Sequence, residues 1–266
     1  MRILIAQRSL DLPGGAETFV ITLAEHFAAL GHEVVIWAIH LGLAAGLARD
    51  RAIEVVADER RLPAETSATI ALDRIMAIEL ASRYPRATRL FAMHNANEVW
   101  LPPPEPGIVA ATLAANDRMA RLARGCVGAG EVIRIRQPID LLRFSPRGRW
   151  PDATPARVLL IGNYFHTPAQ RVDQLMAAWG RRTLKWRRIG HPYPSLGVAE
   201  EMAKADIVVG YGRSIVEAMA CGRPAYVHEH SGSDGWVTSA SYEAMESDGF
   251  SGAAVRLLPR RPRRCR

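Results

Sequence analysis

Residues Arg2–Ala38 read RILIAQRSLDLPGGAETFVITLAEHFAALGHEVVIWA, and this stretch decides the fold class. Arg2–Ala6 is a short Ile/Leu run of the kind buried on both faces of a parallel sheet. Leu12-Pro13-Gly14-Gly15 is a turn. From Ala16 to Leu30 the apolar residues Phe19, Val20, Leu23, Phe27 and Leu30 recur at helical spacing, and Gly31 ends the run. Val34–Ala38 is a second apolar strand. Strand, glycine turn, helix, strand is one βαβ unit, which implies a parallel sheet with a right-handed crossover.

The alternation continues outward. Ile53–Ala57, Thr69–Leu72 and Leu90–His94 are predicted strands, Asp73–Arg83 a helix, and Ile108–Leu122 a further helix. Short segments near Cys126 and over Val132–Ile135 complete the first half. Between Phe144 and Pro155 lie Pro146, Gly148, Pro151 and Pro155, the best linker in the chain. After it the pattern restarts. Strands are predicted at Arg157–Ile161, Trp186–Ile189, Ile207–Val209 and Ala225–His228, and helices at Gln170–Trp179, Val198–Lys204 and Ser214–Cys221. The fold class is therefore α/β, with two Rossmann-like, doubly wound parallel-sheet domains expected to face each other across a cleft. The expected division is 1–146, a linker at 147–155, a second domain at 156–254 and a basic tail at 255–266.

A chain of 266 residues suits two modest domains, and 48% apolar against 23% charged residues argues against wholesale disorder. The net charge is +7, and Arg256, Arg260, Arg261, Arg263, Arg264 and Arg266 concentrate it in the tail. With no helix-turn-helix, zinc-finger or RNA-binding signature, a nucleic-acid binder is the weakest reading of that charge. A peripheral contact with an anionic membrane face is compatible with it. The three cysteines, Cys126, Cys221 and Cys265, are far apart and odd in number, so no disulfide framework or CxxC site is indicated, and a cytoplasmic compartment is expected. The start MRILIAQ has no signal-peptide pattern, and no apolar run reaches the roughly 20 residues that span a bilayer.

Open parallel sheets bind ligands at the carboxyl ends of their strands. Four glycine-bearing loops are predicted there: Gly14-Gly15, Gly162-Asn163, Gly190-His191 and Gly210–Ser214. Glycine lets backbone N–H groups approach a phosphate, and a following helix start adds partial positive charge. Gly14-Gly15 reads equally well as an anion site or as a plain tight turn. The last loop is more specific. In Gly210-Tyr211-Gly212-Arg213-Ser214-Ile215-Val216-Glu217, Arg213 suits a diphosphate and Ser214 a helix cap or phosphate contact. Glu217, one turn on, suits a ribose diol or the second half of a capping box. His228-Glu229-His230 places two histidines on one side of a strand end, but no third ligand is evident and no metal is expected. Ser231–Trp236 is read as a glycine-rich covering loop, with Trp236 as cover or core. Asp11 and Glu17 are the acidic groups beside the first turn.

Glu217-Ala218-Met219-Ala220-Cys221-Gly222-Arg223-Pro224 resembles the most recognisable run of glycosyltransferase family 4, the retaining enzymes of GT-B fold. Gly14-Gly15-Ala16-Glu17 with Leu30–Val34, Gln137–Asp140 through Pro146, and Gln170-Arg171-Val172-Asp173 are similar to other segments of that family in the same order. The resemblance implies a metal-independent transfer, with retention, from a UDP- or GDP-sugar to a hydroxyl acceptor, with no cofactor. It implies donor contacts from Gly14, Gly15, Gly162, Asn163, Arg171, Gly190, Gly212, Arg213, Ser214 and Glu217, and places His94 near the transferred sugar. The chain departs from the family at three positions. Val209 stands where a first glutamate is usual, and Asn163 and Gln170 stand where an Arg and a Lys neutralise the diphosphate. Arg171 and Arg213 are the cations left to substitute. A binding-only relative and a GT-B-fold epimerase of sugar nucleotides remain as alternatives.

Overall fold

The computed structural model describes residues 1–94, 101–148, 150, 157–163, 185–229 and 232–254. The chain forms two compact units, Met1–Pro138 and Ile139–Arg266. Ile139–Pro146, expected in the first domain, belongs to the second unit, where Phe144 is buried with Leu159, Val208 and Ile215.

The first unit holds strands β1 (Arg2–Ala6), β2 (Ser9–Leu10), β3 (Glu33–Trp37), β4 (His40–Leu41), β5 (Glu54–Val56), β6 (Ala68–Ala71), β7 (Thr88–Met93), β8 (Ala111–Ala114) and β9 (Glu131–Arg134). Its helices are α1 (Gly15–Ala29), α2 (Leu43–Asp50), α3 (Arg74–Arg83) and α4 (Asp117–Arg124). Seven strands form one sheet in the order β5-β3-β1-β6-β7-β8-β9, every pair parallel. The order reverses beside β1, the arrangement that opens a crevice at the strand ends. Alternate residues of each strand face opposite layers. Ile3 and Ile5 pack with Phe19 and Val20 of α1 and with Ala44 and Ala45 of α2. Leu4 and Ala6 join Met76 and Leu80 of α3 and Met119 of α4. Each fully buried Ile, Leu or Phe contributes roughly 1.5–3 kcal/mol, so both layers hold the sheet. The glycine stop is confirmed at Gly31, whose φ of 81° a side chain would strain.

One element differs in kind. Ile108–Leu122, predicted as a single helix, is β8 followed by α4. Ala111, Thr112 and Ala114 are buried in the sheet between β7 and β9. The helix begins only after Asn116, whose side chain accepts the Met119 N–H at 2.8 Å.

The second unit contains β10 (Arg157–Ile161), β11 (Lys185–Ile189), α5 (Val198–Lys204), β12 (Ile207–Gly210), α6 (Arg213–Ala220), β13 (Ala225–Glu229), β14 (Gly232–Trp236) and α7 (Tyr242–Ser247). Its sheet runs β11-β10-β12-β13-β14, parallel except for the last pair. Gly232–Trp236, read from sequence as a covering loop, is that antiparallel edge strand, with Trp236 edge-on to Tyr226 at 5.1 Å. The helix predicted at Gln170–Trp179 lies outside the described residues.

Candidate functional site

In the second unit the sheet order again reverses, between β11 and β12 on either side of β10. Ile161 pairs with Ile189 on one side and Gly210 on the other. That register sets Gly162, Gly190 and Tyr211 side by side at the carboxyl edge. There Gly190 (φ 125°) runs so close to the Gly162 carbonyl that a side chain would collide with it. Asn163 accepts the His191 N–H at 3.1 Å. Its amide ties two strand ends together, a structural role the sequence did not suggest.

Only Tyr211 and Gly212 separate β12 from α6. A side chain at Gly210 would lie 2.5 Å from Ser214 Oγ and 2.9 Å from the Ile161 carbonyl, so the turn needs glycine. Gly212 (φ 60°, ψ −132°) is the residue before the helix, and no side chain caps it. Its N–H donates instead to the Phe250 carbonyl at 2.8 Å. Phe250 is buried and itself left-handed, at φ 53°, an uncommon state for a bulky residue. Nothing in the sequence pointed to Phe250. Ser214, expected as a cap, lies inside the first turn and donates to the Tyr211 carbonyl at 2.9 Å.

Arg213 and Glu217 are both buried and form an ion pair across one turn of α6, Nε to Oε1 at 2.7 Å. The structure therefore joins the residue expected on the diphosphate to the one expected on the ribose. A buried carboxylate needs such a partner to offset its desolvation. Val209 is fully buried in β12, paired with Leu160 and Tyr226. The position where a sugar-binding glutamate was sought is strand core, so its valine follows from packing. Arg171, Gln170 and His230 lie outside the described residues. Among the described residues no group of three His, Cys, Asp or Glu could hold a metal ion. No described helix is long and apolar enough to cross a membrane.

In the first unit the corresponding strand ends carry Gln7, Asp73 and His94. Glu17 turns back at the start of α1, its carboxylate over Gly14, where no side chain caps the helix. Gln7 Nε2 donates to the same carboxylate at 2.7 Å. Burial pushes the Glu17 pKa above the usual carboxylate range, against that hydrogen bond, which lowers it. A side chain at Gly14 would run into the Glu17 carboxylate, whereas one at Gly15 would meet open space. Gly14 thus serves the turn. Asp73 accepts the Met76 N–H at 2.9 Å and the Arg8 N–H at 3.2 Å, and burial raises its pKa too. His94 stands at the end of β7 with its ring 4.2 Å from that of Phe19, edge to face.

No family model and no curated protein matches the chain. Solved structures do. HepE of Anabaena in complex with UDP-glucose is similar with a TM-score of 0.64 at 14% identity, over 96% of this chain and 94% of that one. HepE in complex with UDP and glucose gives 0.61 over the same shares. An alpha-glucosyltransferase in complex with UDP and a 13-mer DNA containing a HMU base gives 0.52 at 14% identity, over 85% and 79%. These neighbours are GT-B glycosyltransferases, and the likeness is one of fold: two Rossmann-like α/β units built on parallel sheets.

Proposed function

We propose that the chain is a glycosyltransferase that moves a sugar from a UDP- or GDP-sugar to a hydroxyl acceptor, with retention and without a metal or cofactor, in the cytoplasm. The observation that carries this reading is the start of α6: a glycine-led, side-chain-free N-terminus at the sheet's reversal point, followed by the buried Arg213–Glu217 pair. Backbone N–H groups and the helix charge there suit a diphosphate. Arg213 takes part of the charge that builds on the leaving group, the largest single term in such chemistry. Glu217, already one turn from the phosphate locus, accepts the ribose hydroxyls. Gly162 and Gly190 let the nucleotide approach the strand ends, and Arg171 supplies a second cation. Gly15 and His94 serve the sugar or acceptor side from the first unit. UDP-glucose bound to HepE, a protein of the same fold, supports the donor class.

Tryptophan fluorescence titrated with UDP-glucose, UDP and GDP tests the reading in wild type and in Arg213→Ala. We expect saturable binding in wild type, and at least about a tenfold loss in the variant, one charge-assisted contact being worth about 1.5–3 kcal/mol. Unchanged binding in the variant removes Arg213 from the site. A second reading, a relative that binds but does not turn over, is favoured by Asn163, whose side chain serves the His191 backbone and carries no charge. Acceptor-dependent release of free nucleotide separates transferase from binder, and isomerised sugar nucleotide without release marks an epimerase.

A further inference from the structure

The segment that opens the second unit presents apolar side chains on a turn that is firmly built. Asp140 Oδ1 accepts the N–H groups of Leu142 at 2.9 Å and Arg143 at 3.0 Å, and the Asp140 carbonyl accepts Phe144 N–H at 2.8 Å. Phe144 is 7% exposed and anchors the turn in the core. The same geometry thrusts Leu141 and Leu142 outward, at 68% and 86% exposure, and Trp150 follows at 72%. Isolated exposed leucines are ordinary; two adjacent leucines on a fixed turn, with an exposed tryptophan packed over Gly222, are not.

Beside them lies a small pocket of about 60 Å³, lined by Pro146, Arg147, Gly148, Trp150, Cys221 and Arg223. Both guanidinium groups are held in place. Arg147 Nε donates to Ser145 Oγ at 3.0 Å and its Nη2 to the Leu142 carbonyl. Its Nη1 has no partner among the described residues. Arg223 Nη2 bridges the Arg147 carbonyl at 2.8 Å and the Ala203 carbonyl at 2.9 Å. Burial pushes the Cys221 thiol up to about 11, so it adds no negative charge at neutral pH. Glu217 and Glu200 are the carboxylates felt at that sulfur, and Glu217 is tied to Arg213. The pocket lies at the C-terminal end of α6, one full helix away from Gly212.

We propose that Leu141, Leu142 and Trp150, with the Arg147–Arg223 pocket, form a docking surface for an anionic lipid bilayer. Cationic groups beside exposed Leu and Trp match a membrane interface, where phosphate and acyl chain meet. A phosphate group fits the pocket, and the three apolar side chains sit at the level of the upper acyl chains. Nucleic acid would satisfy the arginines but leave both leucines in water, so the apolar residues decide between the two polyanions. This inference stands independently of the transferase reading.

The test is co-sedimentation of the full chain with vesicles of phosphatidylcholine alone and of equal parts phosphatidylcholine and phosphatidylglycerol. We expect binding to the anionic vesicles and little to the neutral ones. Leu141→Ser with Leu142→Ser should weaken it at least about tenfold, and Arg147→Glu at least about fivefold, from the apolar area and the charge each removes. Leu141 and Leu142 are exposed and make no side-chain contact that the turn depends on, so thermal unfolding of the leucine variant should be unchanged and fix its loss to the surface. The proposal is overturned if neither vesicle binds, if neutral vesicles bind as well as anionic ones, or if the variants bind like wild type. It is equally overturned if replacing Arg260, Arg261, Arg263, Arg264 and Arg266 by serine alone abolishes sedimentation, or if a DNA duplex binds with the same sensitivity to the leucine variant. Loss of self-association in the leucine variant, with vesicle binding intact, would assign the surface to a second copy of the chain.

Discussion

The helices that start at the carboxyl edges of the two sheets are finished differently. In the first unit a side-chain oxygen of the chain itself stands at three of these starts: the Glu17 carboxylate lies over Gly14 at α1, while Asp73 and Asn116 cap α3 and α4. In the second unit α6 starts at Gly212 with no side-chain cap, and the nearest charged groups are a cation and a carboxylate locked to each other. A helix start that already holds a carboxylate repels a second anion; one left open by glycine attracts it. Two sheets of the same type thus divide the work. In the proposed reading the diphosphate goes to the second unit and uncharged groups to the first.

The largest effect expected from breaking this contrast is at Arg213. Removing it as Arg213→Ala takes the guanidinium from a buried carboxylate, which costs about 3–5 kcal/mol; urea unfolding should show it, and a stability close to wild type would mean that the pair is not sealed from water. Filling in the order of size, Asp73→Ala and Asn116→Ala should each cost about 1 kcal/mol with nucleotide binding unchanged, since both are caps in the first unit. Lost nucleotide binding in either would place phosphate there and undo the contrast. Gly14→Ala and Gly15→Ala separate turn from site. The first forces the Glu17 carboxylate aside, at on the order of 1 kcal/mol, whereas the second should leave the stability within about 0.5 kcal/mol of wild type. A Gly15→Ala variant that folds but loses turnover would show what the bare backbone is for.

The smallest effect is a slope. Because the folded chain holds the Glu17 pKa above its unfolded value, the stability this residue contributes is fully present below the ordinary glutamate pKa, about 4.3, and is lost as pH rises through the raised one. Stability of Glu17→Gln should therefore gain on wild type as pH rises from acid towards neutral. Parallel curves would mean that the carboxylate is better solvated than its burial indicates.

The first βαβ unit was legible because its apolar spacing, its turn and its stop at Gly31 agree. The elements that escaped notice lack such agreement. Ala111-Thr112-Leu113-Ala114 is rich in a helix former, and only its place between β7 and β9 makes it a strand. Leu43–Asp50 carries Gly46 in mid-helix and adjoins an apolar run that hides its start. Gly232–Trp236 has almost no strand propensity and exists by pairing with β13 across a bulge. At the site, Arg213 and Glu217 stand four apart, a spacing that marks a pair, and both were singled out as ligands of different groups. The Asn163–His191 tie and the Phe250 carbonyl escaped because they are contacts across loops that no local spacing encodes.

Strand β1 has a consequence for how the first unit is made. It is the first of the seven strands to leave the ribosome, yet it sits near the middle of the sheet, between β3 and β6. Its register with β6 ends at Ala71. Until that residue has been synthesised, one edge of an Ile-Leu-Ile strand is bare on the nascent polypeptide, a template for pairing with a neighbour on the same message. Slow elongation through the codons from Arg2 to Ala71 would lengthen that exposure, at synthesis rates of roughly 5–20 residues per second, and yield should respond to added holdase chaperones.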